Sequence, residues 1–279
     1  MRTRRALYAL ALLLAGTALA PAFDRSDLNR APVAKPVPQA HAESIAETRR
    51  ALGAYRDGRK VEAADIFAAA AARGHLPAQW KLARMLATGD GVEVDPVRAT
   101  ALFAAIADRY AHRDPALRDV PFVADATREA GRMQLAGHGG PRDVRAARRH
   151  LWRAATTYRD AEARYLLGLS MLDEAHGRIQ PEVAYGWLRS AVALGHPAAA
   201  VRMGEMQVAG LGTKANAMAG LLLMARGVER AKAADRPSLA LRFQAVRADM
   251  DEAVQTGIDA ELARLDLGAA MQPVMTAAE

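Results

Sequence analysis

The chain of 279 residues has no cysteine, few aromatic residues and no recognisable catalytic motif. Without cysteine, disulfides, thiolate nucleophiles, cysteine-built metal sites and cysteine-linked lipid anchors are all excluded. Aromatic residues make up only 5% of the chain, whereas hydrophobic residues make up 51%, and alanine supplies much of that share. Because alanine is the strongest helix former and adds little bulk, this composition favours closely packed helices.

Patterns typical of enzymes are missing as well. No serine stands in a G-x-S-x-G context, and the 7 histidines lack paired metal-ligand spacing. The glycine-rich segment 137–143 falls at a turn of the repeat, which favours a turn over a phosphate-binding loop. The sequence therefore predicts a protein that is not an enzyme and that holds neither a metal nor a cofactor.

Residues 1–22 have the pattern of a signal peptide. The positive segment "MRTRR" precedes "ALYALALLLAGTALA", an apolar stretch too short to span a membrane comfortably. Cleavage is predicted after Ala22, which leaves Ala20 and Ala22 in the small-residue positions. The protein is therefore expected in the periplasm, without membrane insertion after cleavage. An uncleaved anchor is the alternative.

After this segment the chain is mildly basic, and its first residues are rich in proline. The net charge of +7 falls to +4 without the three arginines of residues 1–22. Such a mildly basic balance is ordinary for solubility, and in an exported protein it argues against a nucleic-acid partner. Residues 23–45 lack apolar periodicity and are rich in proline, so we expect a flexible tether there.

One sequence pattern recurs along the rest of the chain. The segment "ARGHLPAQWKLARMLATGDGV" begins at Ala72, and "ALGHPAAAVRMGEMQVAGLGT" begins 121 residues later at Ala193. Copies of the second half of this pattern begin at Ala78, Ala126, Ala163 and Ala199, with successive offsets of 48, 37 and 36 residues. A period in this range predicts a helical solenoid.

Each repeat is predicted to contain two helices, so the expected fold class is all-α, a right-handed superhelical solenoid of stacked antiparallel helix pairs. Gly74 and Pro77 mark the turn inside the first unit, and Asp95 with Pro96 starts the next one. Residues 46–267 are assigned to the solenoid, with units at about 46–95, 96–142, 143–180 and 181–216, a degenerate C-terminal cap at 217–267 and a disordered tail at 268–279.

Side-chain size also follows the repeat. Small residues that we expect where helices nearly touch are Ala69, Ala78, Ala83, Gly131, Gly168 and Gly204. Large residues that we expect to fill the seams between units are Phe67, Trp80, Leu82, Phe103, Trp152, Tyr165, Trp187 and Met203. Since no single unit buries enough surface alone, the stacking of units is predicted to form the core.

The segment "GHLPAQWKLARMLATGDGV" resembles the SEL-type (Sel-one-like) relative of the tetratricopeptide repeat. The resemblance covers roughly residues 50–255 and implies the fold. The third copy departs from the pattern, because "DEAHGR" stands where a G-x-G turn is expected. The fourth copy has Val201 at the aromatic position.

A narrower resemblance joins the signal peptide ending "APAFD", the proline-rich tether, the first repeat and the elongated second unit. This order is similar to that of the ExoR family, periplasmic negative regulators of exopolysaccharide production in alphaproteobacteria. The resemblance implies a protein partner, the periplasmic domain of a sensor histidine kinase, whose signalling is repressed. Its implied output is exopolysaccharide and motility control, and it implies no catalytic residue. The alternative is an envelope scaffold for polysaccharide export or another secretion complex.

Arginines cluster in the helix predicted from "RDVRAARRHLWR". Spacings of four place Arg145, Arg149 and Arg153 on one helix face, and Arg148 belongs to the same cluster. One interpretation is an ordinary hydrated surface. The other is a docking stripe for an acidic partner, because arginine pairs with carboxylates in a bidentate way and exposed solenoid surfaces bind partners.

The second unit carries about 12 extra residues within 108–123, since its first helix keeps an offset of 36 residues whereas its second is displaced by 48. Tyr110, Arg113 and Arg118 of this insertion are further candidates for partner binding. The alternatives are a merely mobile loop and a site for proteolysis.

Two histidines, His75 and His196, occupy the same turn in different units. The structural interpretation is that they help to close this turn. The functional hypothesis is that they respond to pH, because the bacterial periplasm follows the external pH and histidine titrates in that range.

Overall fold

A computed structural model describes residues 38–112, 119–174 and 179–271. Within these ranges the chain forms 12 α-helices and a short 3₁₀ helix, and no strand is present. The helices are α1 (Pro38–Arg56), α2 (Lys60–Ala72), α3 (Leu76–Thr88), α4 (Pro96–Arg109), α5 (Val120–Ala136), α6 (Val144–Thr157), α7 (Ala161–Met171), α8 (Pro181–Val192), α9 (Pro197–Ala209), α10 (Ala217–Arg230), α11 (Arg236–Ala248) and α12 (Glu252–Arg264), and the 3₁₀ helix is Gly268–Met271. The segment 1–22 lies outside the described residues.

The helices from α1 to α11 stack in chain order, each packing against the next. Helices α3, α5 and α7, the second helices of the first three units, also contact one another in sequence. Each unit therefore buries its apolar faces between its own two helices and against the neighbouring units. The predicted all-α repeat solenoid is confirmed.

A backbone hydrogen bond closes the turn between each unit and the next. In successive units this bond joins Asp95 N–H to the carbonyl oxygen of Leu86 at 2.9 Å, Asp143 to Gln134 at 3.1 Å, Gln180 to Met171 at 2.9 Å and Asn216 to Gln207 at 2.8 Å. Successive donors are separated by the 48, 37 and 36 residues read from the sequence. The bond persists in the third unit, although the sequence of that unit lacks the G-x-G pattern.

Side chains and glycines fix the ends of the helices at these turns. The carboxylates of Asp95 and Asp143 accept hydrogen bonds from the N–H groups of Arg98 and Ala146, which begins α4 and α6. Gly89 ends α3 at φ 73°, a left-handed conformation that costs glycine little. Asp95 therefore caps the helix that the sequence predicted it to begin.

Small residues lie at the seams between units. A Cβ atom added to Gly168 would lie 2.8 Å from Cγ of Leu188, and one added to Gly204 would lie 2.5 Å from the carbonyl oxygen of Gly220. Two of the predicted packing residues do not lie in a seam. Ala69 is exposed, and Trp152 is 57% exposed.

The ends of the solenoid differ from the predicted boundaries. Helix α1 begins at Pro38, so residues 38–45, which the sequence assigned to the tether, are helical. At the other end, residues 268–271 of the predicted tail form the 3₁₀ helix, and Met271 is buried. Both terminal segments gain structure because they cover the open face of a terminal helix layer.

Part of the insertion of the second unit is helical. Helix α5 has 17 residues, whereas its counterpart α3 has 13. The added turn begins at Val120, and both Val120 and Val123 are buried. Burial of these valines therefore converts part of the extra sequence into helix.

Candidate functional site: a groove lined by arginine and tryptophan

Helix α6 is strongly amphipathic, and its two faces carry different residues. Ala147, Leu151 and Ala154 are fully buried against neighbouring helices. Arg145 and Arg149 are exposed on the opposite face, one helical turn apart. Their guanidinium groups make no hydrogen bond or ion pair with any described residue.

The exposed face of α6 forms one side of a groove of about 770 Å³. The other sides come from α7 and α8, so the groove lies where the third unit meets the fourth. Its lining consists of Arg142, Asp143, Val144, Arg145, Arg148, Arg149, Trp152, Arg153, Leu167, Met171 and Trp187. The described lining contains five arginines and one carboxylate. Asp173 pairs with Arg142 and Asp108 lies 3.6 Å from Arg153, so the uncompensated positive charge of the groove comes from its other arginines.

The arginines of the groove differ in their hydrogen bonds. Arg148 donates to the hydroxyl of Ser170 at 3.1 Å and to its carbonyl oxygen, which ties α6 to α7. Arg153 donates to the carbonyl oxygen of Ala107 at 2.8 Å, which ties α6 to α4. These bonds hold the guanidinium groups of Arg148 and Arg153 in place. The guanidinium groups that remain available to a ligand are mainly those of Arg145 and Arg149.

The structure keeps the predicted arginine cluster together on α6, and Asp108, the first residue of the insertion, lies 3.6 Å from Arg153. Tyr110 caps α4 and packs against the core of the first two units, and it does not line the groove. Arg113 and Arg118 lie outside the described residues.

Sequence reasoning missed Trp152 as a surface residue. The signal was present, because Trp152 follows Arg148 by four residues and Arg149 by three, which places it on the arginine face of the helix. The repeat comparison assigned it to a seam because large residues usually fill seams. Helical spacing identifies the face of a residue, whereas size alone does not.

The two equivalent histidines have different surroundings. Nδ1 of His75 lies 2.7 Å from the hydroxyl of Thr48 on α1. Nδ1 of His196 accepts the N–H of Ala199 at 3.1 Å, so its Nε2 carries the proton and donates to Glu162 at 2.7 Å. This bond to His196 holds the pKa of Glu162 below its ordinary range, although burial acts in the opposite direction.

A third histidine, His150, is buried on the packed face of α6. Its Nδ1 lies 2.8 Å from Oε1 of Gln134 on α5, and its Nε2 lies 3.2 Å from Oδ1 of Asp108 on α4. Burial lowers the pKa of His150, and the nearby Arg153 and Arg149 lower it further, while Asp108 opposes them. The neutral form is therefore favoured in the folded protein.

The described residues contain no group of three or more histidine or acidic side chains that could hold a metal ion. No helix among them is both long enough and apolar enough to cross a membrane.

No protein-family model matches the chain, but individual proteins resemble it. An "Exopolysaccharide production negative regulator" from Rhizobium leguminosarum bv. viciae is 31% identical over 185 residues, covering 65% of this chain and 67% of that protein. A protein of the same description from Rhizobium meliloti (strain 1021) is 30% identical over 196 residues, covering 67% and 69%.

The chain belongs to this family of exopolysaccharide production negative regulators. Membership confirms the resemblance stated from the repeat and its flanking segments. It also supports a regulatory role for this member of the family.

Solved structures agree on the fold. A Sel1 repeat protein from Oxalobacter formigenes is similar with a TM-score of 0.62 and 17% identity, covering 85% of this chain and 88% of that one. A protective antigen of uropathogenic Escherichia coli that displays an SLR fold matches with a TM-score of 0.56 and 19% identity, covering 81% and 47%. At these identities the likeness supports the Sel1-type solenoid and nothing about function.

Proposed function

We propose that the protein is a non-catalytic periplasmic regulator that represses exopolysaccharide production by binding another protein. The proposed partner is the periplasmic domain of a sensor histidine kinase, and motility is a proposed second output. The observation that carries the proposal is an exposed cationic groove on a repeat solenoid whose curated relatives are described as negative regulators.

Several features support binding rather than catalysis. Solenoids present extended surfaces on rigid stacked helices, and these surfaces commonly bind proteins. The groove offers guanidinium groups and aromatic rings, residue types that are enriched where proteins bind one another. Its lining contains no serine, threonine or lysine nucleophile beside a base.

Export to the periplasm is supported by the pattern of residues 1–22, a positive start followed by an apolar stretch and small residues. The expected mature chain begins at Phe23. N-terminal sequencing of the protein from the periplasmic fraction tests this. A chain that begins at Met1 or Arg2 would contradict it.

The central experiment removes the gene and restores it. Deletion is expected to raise exopolysaccharide production, and the restored gene is expected to lower it again. Crosslinking of the restored protein in living cells should then recover a sensor kinase. Recovery of a secretion complex instead, with unchanged exopolysaccharide production after deletion, would favour an envelope scaffold.

An acid response through His75 and His196 is part of the proposal. A second proton on His196 would occupy Nδ1, the atom that accepts the N–H of Ala199 and caps α9. Replacing both histidines by asparagine is therefore expected to blunt any change in repression between about pH 7 and pH 5. His112→Gln, at an exposed histidine, is the control. An unchanged acid response in the double variant would remove both histidines from this role.

A further inference from the structure

The groove between α6, α7 and α8 combines charge with apolar surface. Arg145 and Arg149 lie at its rim on an exposed helix face. Trp152 and Trp187 contribute aromatic rings, while Leu167 and Met171 contribute aliphatic surface. The two rings and the aliphatic side chains form contiguous apolar surface beside the arginines, and contiguous apolar surface of this kind marks sites of interaction.

The groove is less suited to a sugar than to a peptide. Sugar hydroxyls need hydrogen-bonding partners when they leave water, and an unpaired hydroxyl is costly to bury. The arginine and indole N–H groups can only donate, and apart from Asp143 the described lining has no side-chain oxygen to accept a hydrogen bond from a sugar hydroxyl. An apolar side chain, in contrast, gains from contact with tryptophan, leucine and methionine.

The positive charge of the groove favours a negatively charged ligand. Among the described residues of the lining, one is acidic, and this residue, Asp143, accepts the N–H of Ala146 at the start of α6. Arg145 and Arg149 are separated by one turn, which places their Cβ atoms about 6 Å apart. Two carboxylates at that spacing can each pair with one guanidinium.

We infer that this groove binds an acidic segment of a protein partner, with carboxylates on Arg145 and Arg149 and an apolar side chain against Trp152 and Trp187. The inference rests on the proposed function, since it names the chemistry of the partner that the regulator holds. In a helical segment the two carboxylates stand four residues apart, and in an extended segment they stand two residues apart.

Site-specific crosslinking in the cells that make the protein tests this inference. The photoreactive residue p-benzoylphenylalanine replaces Thr156, which is exposed one turn after Trp152 and leaves the groove residues intact. The same residue at Leu241, exposed on α11, serves as the control position. Mass spectrometry identifies the captured segment. We expect an acidic segment with an apolar residue at position 156 and none at position 241.

Charge reversal then tests the arginines. Arg145→Glu with Arg149→Glu is expected to lower the crosslinking yield at least about tenfold. The matched control is Arg226→Glu with Arg230→Glu, which reverses two exposed arginines at the same spacing on α10. The control pair is expected to leave the yield unchanged. Circular dichroism verifies that both double variants keep their helices.

The inference is overturned by a captured segment that is not acidic, by capture of an anionic polysaccharide, or by equal losses in the two double variants. It is also overturned if nothing is captured at position 156 while exopolysaccharide production stays repressed. Each of these outcomes leaves the proposed function standing when gene deletion still raises exopolysaccharide production. Failure of the deletion to raise it would instead reject the proposed function itself.

Discussion

Leu151 and Trp152 are neighbours in the chain, yet they lie on opposite faces of α6. Leu151 is fully buried, and it fills the space that Gly131 leaves open on α5. Trp152 is 57% exposed and lines the groove with Arg149. One face of the helix therefore holds the repeats together, while the other is available to a ligand. In this protein, large side chains serve stability only on the face that a neighbouring unit covers.

The largest expected effect is a difference in the free energy of unfolding between variants of these two residues. Leu151→Ala removes a buried side chain from a packed seam and is expected to lower the free energy of unfolding by about 2–4 kcal/mol. Trp152→Ala removes an exposed ring and is expected to change it by less than about 0.5 kcal/mol. Urea denaturation followed by circular dichroism measures both. Equal losses in the two variants would show that Trp152 is a packing residue after all.

A pair of glycines extends the comparison to other parts of the solenoid. In Gly204→Ala, the new Cβ would lie 2.5 Å from the carbonyl oxygen of Gly220, so α9 and α10 must move apart. The expected cost is about 1–3 kcal/mol. Gly186→Ala is the matched control, since no atom lies within 4 Å of its Cβ position and a gain of about 0.5–1 kcal/mol is expected. If the free energy of unfolding changed with the same sign in both variants, the close contact between α9 and α10 at Gly204 would be refuted.

The smallest effect concerns pH and the buried face of α6. An unperturbed histidine titrates near pH 6.5, and burial lowers the pKa of His150 in the folded state. Between the folded and unfolded pKa values the unfolded chain binds more protons, so stability is expected to fall as the pH drops below about 6.5. Asp108 on α4, Gln134 on α5, and Arg149 and Arg153 on α6 surround the imidazole.

His150→Gln removes this titration while keeping a polar side chain near Gln134 and Asp108. Thermal unfolding at a series of pH values from about 7.5 to 5.5 should therefore show a shallower pH dependence in the variant. The exposed His112→Gln serves as the control and should keep the steeper dependence. Identical slopes in the His150 variant and the unaltered protein would assign the pH dependence to other groups.

Much of the fold could be predicted from the repeat period. Offsets of 48, 37 and 36 residues reappear as the spacing of one closing hydrogen bond per unit. Glycines at 131, 168 and 204 lie at close helix contacts. These features are predictable because they depend on local turn chemistry and on the size of one residue at a fixed position. The arginine cluster on α6 was likewise visible from helical spacing.

Other features depended on contacts between distant units. The repeat comparison placed Trp152 in a seam, and only the stacking of α6, α7 and α8 leaves it in a groove. His75 and His196 share a turn position, yet one meets Thr48 and the other meets Glu162. Repeat position fixes the backbone, whereas the partner of a side chain comes from a neighbouring unit with its own sequence.

By itself, the sequence determined paired helices, their order and the turns that join them, because caps, glycines and apolar spacing act within a few residues. The tertiary structure decided which face of α6 is covered, which arginines are tied to neighbouring helices, and which remain available to a ligand. The physical reason is that burial and hydrogen bonding of these side chains depend on atoms brought together by stacking.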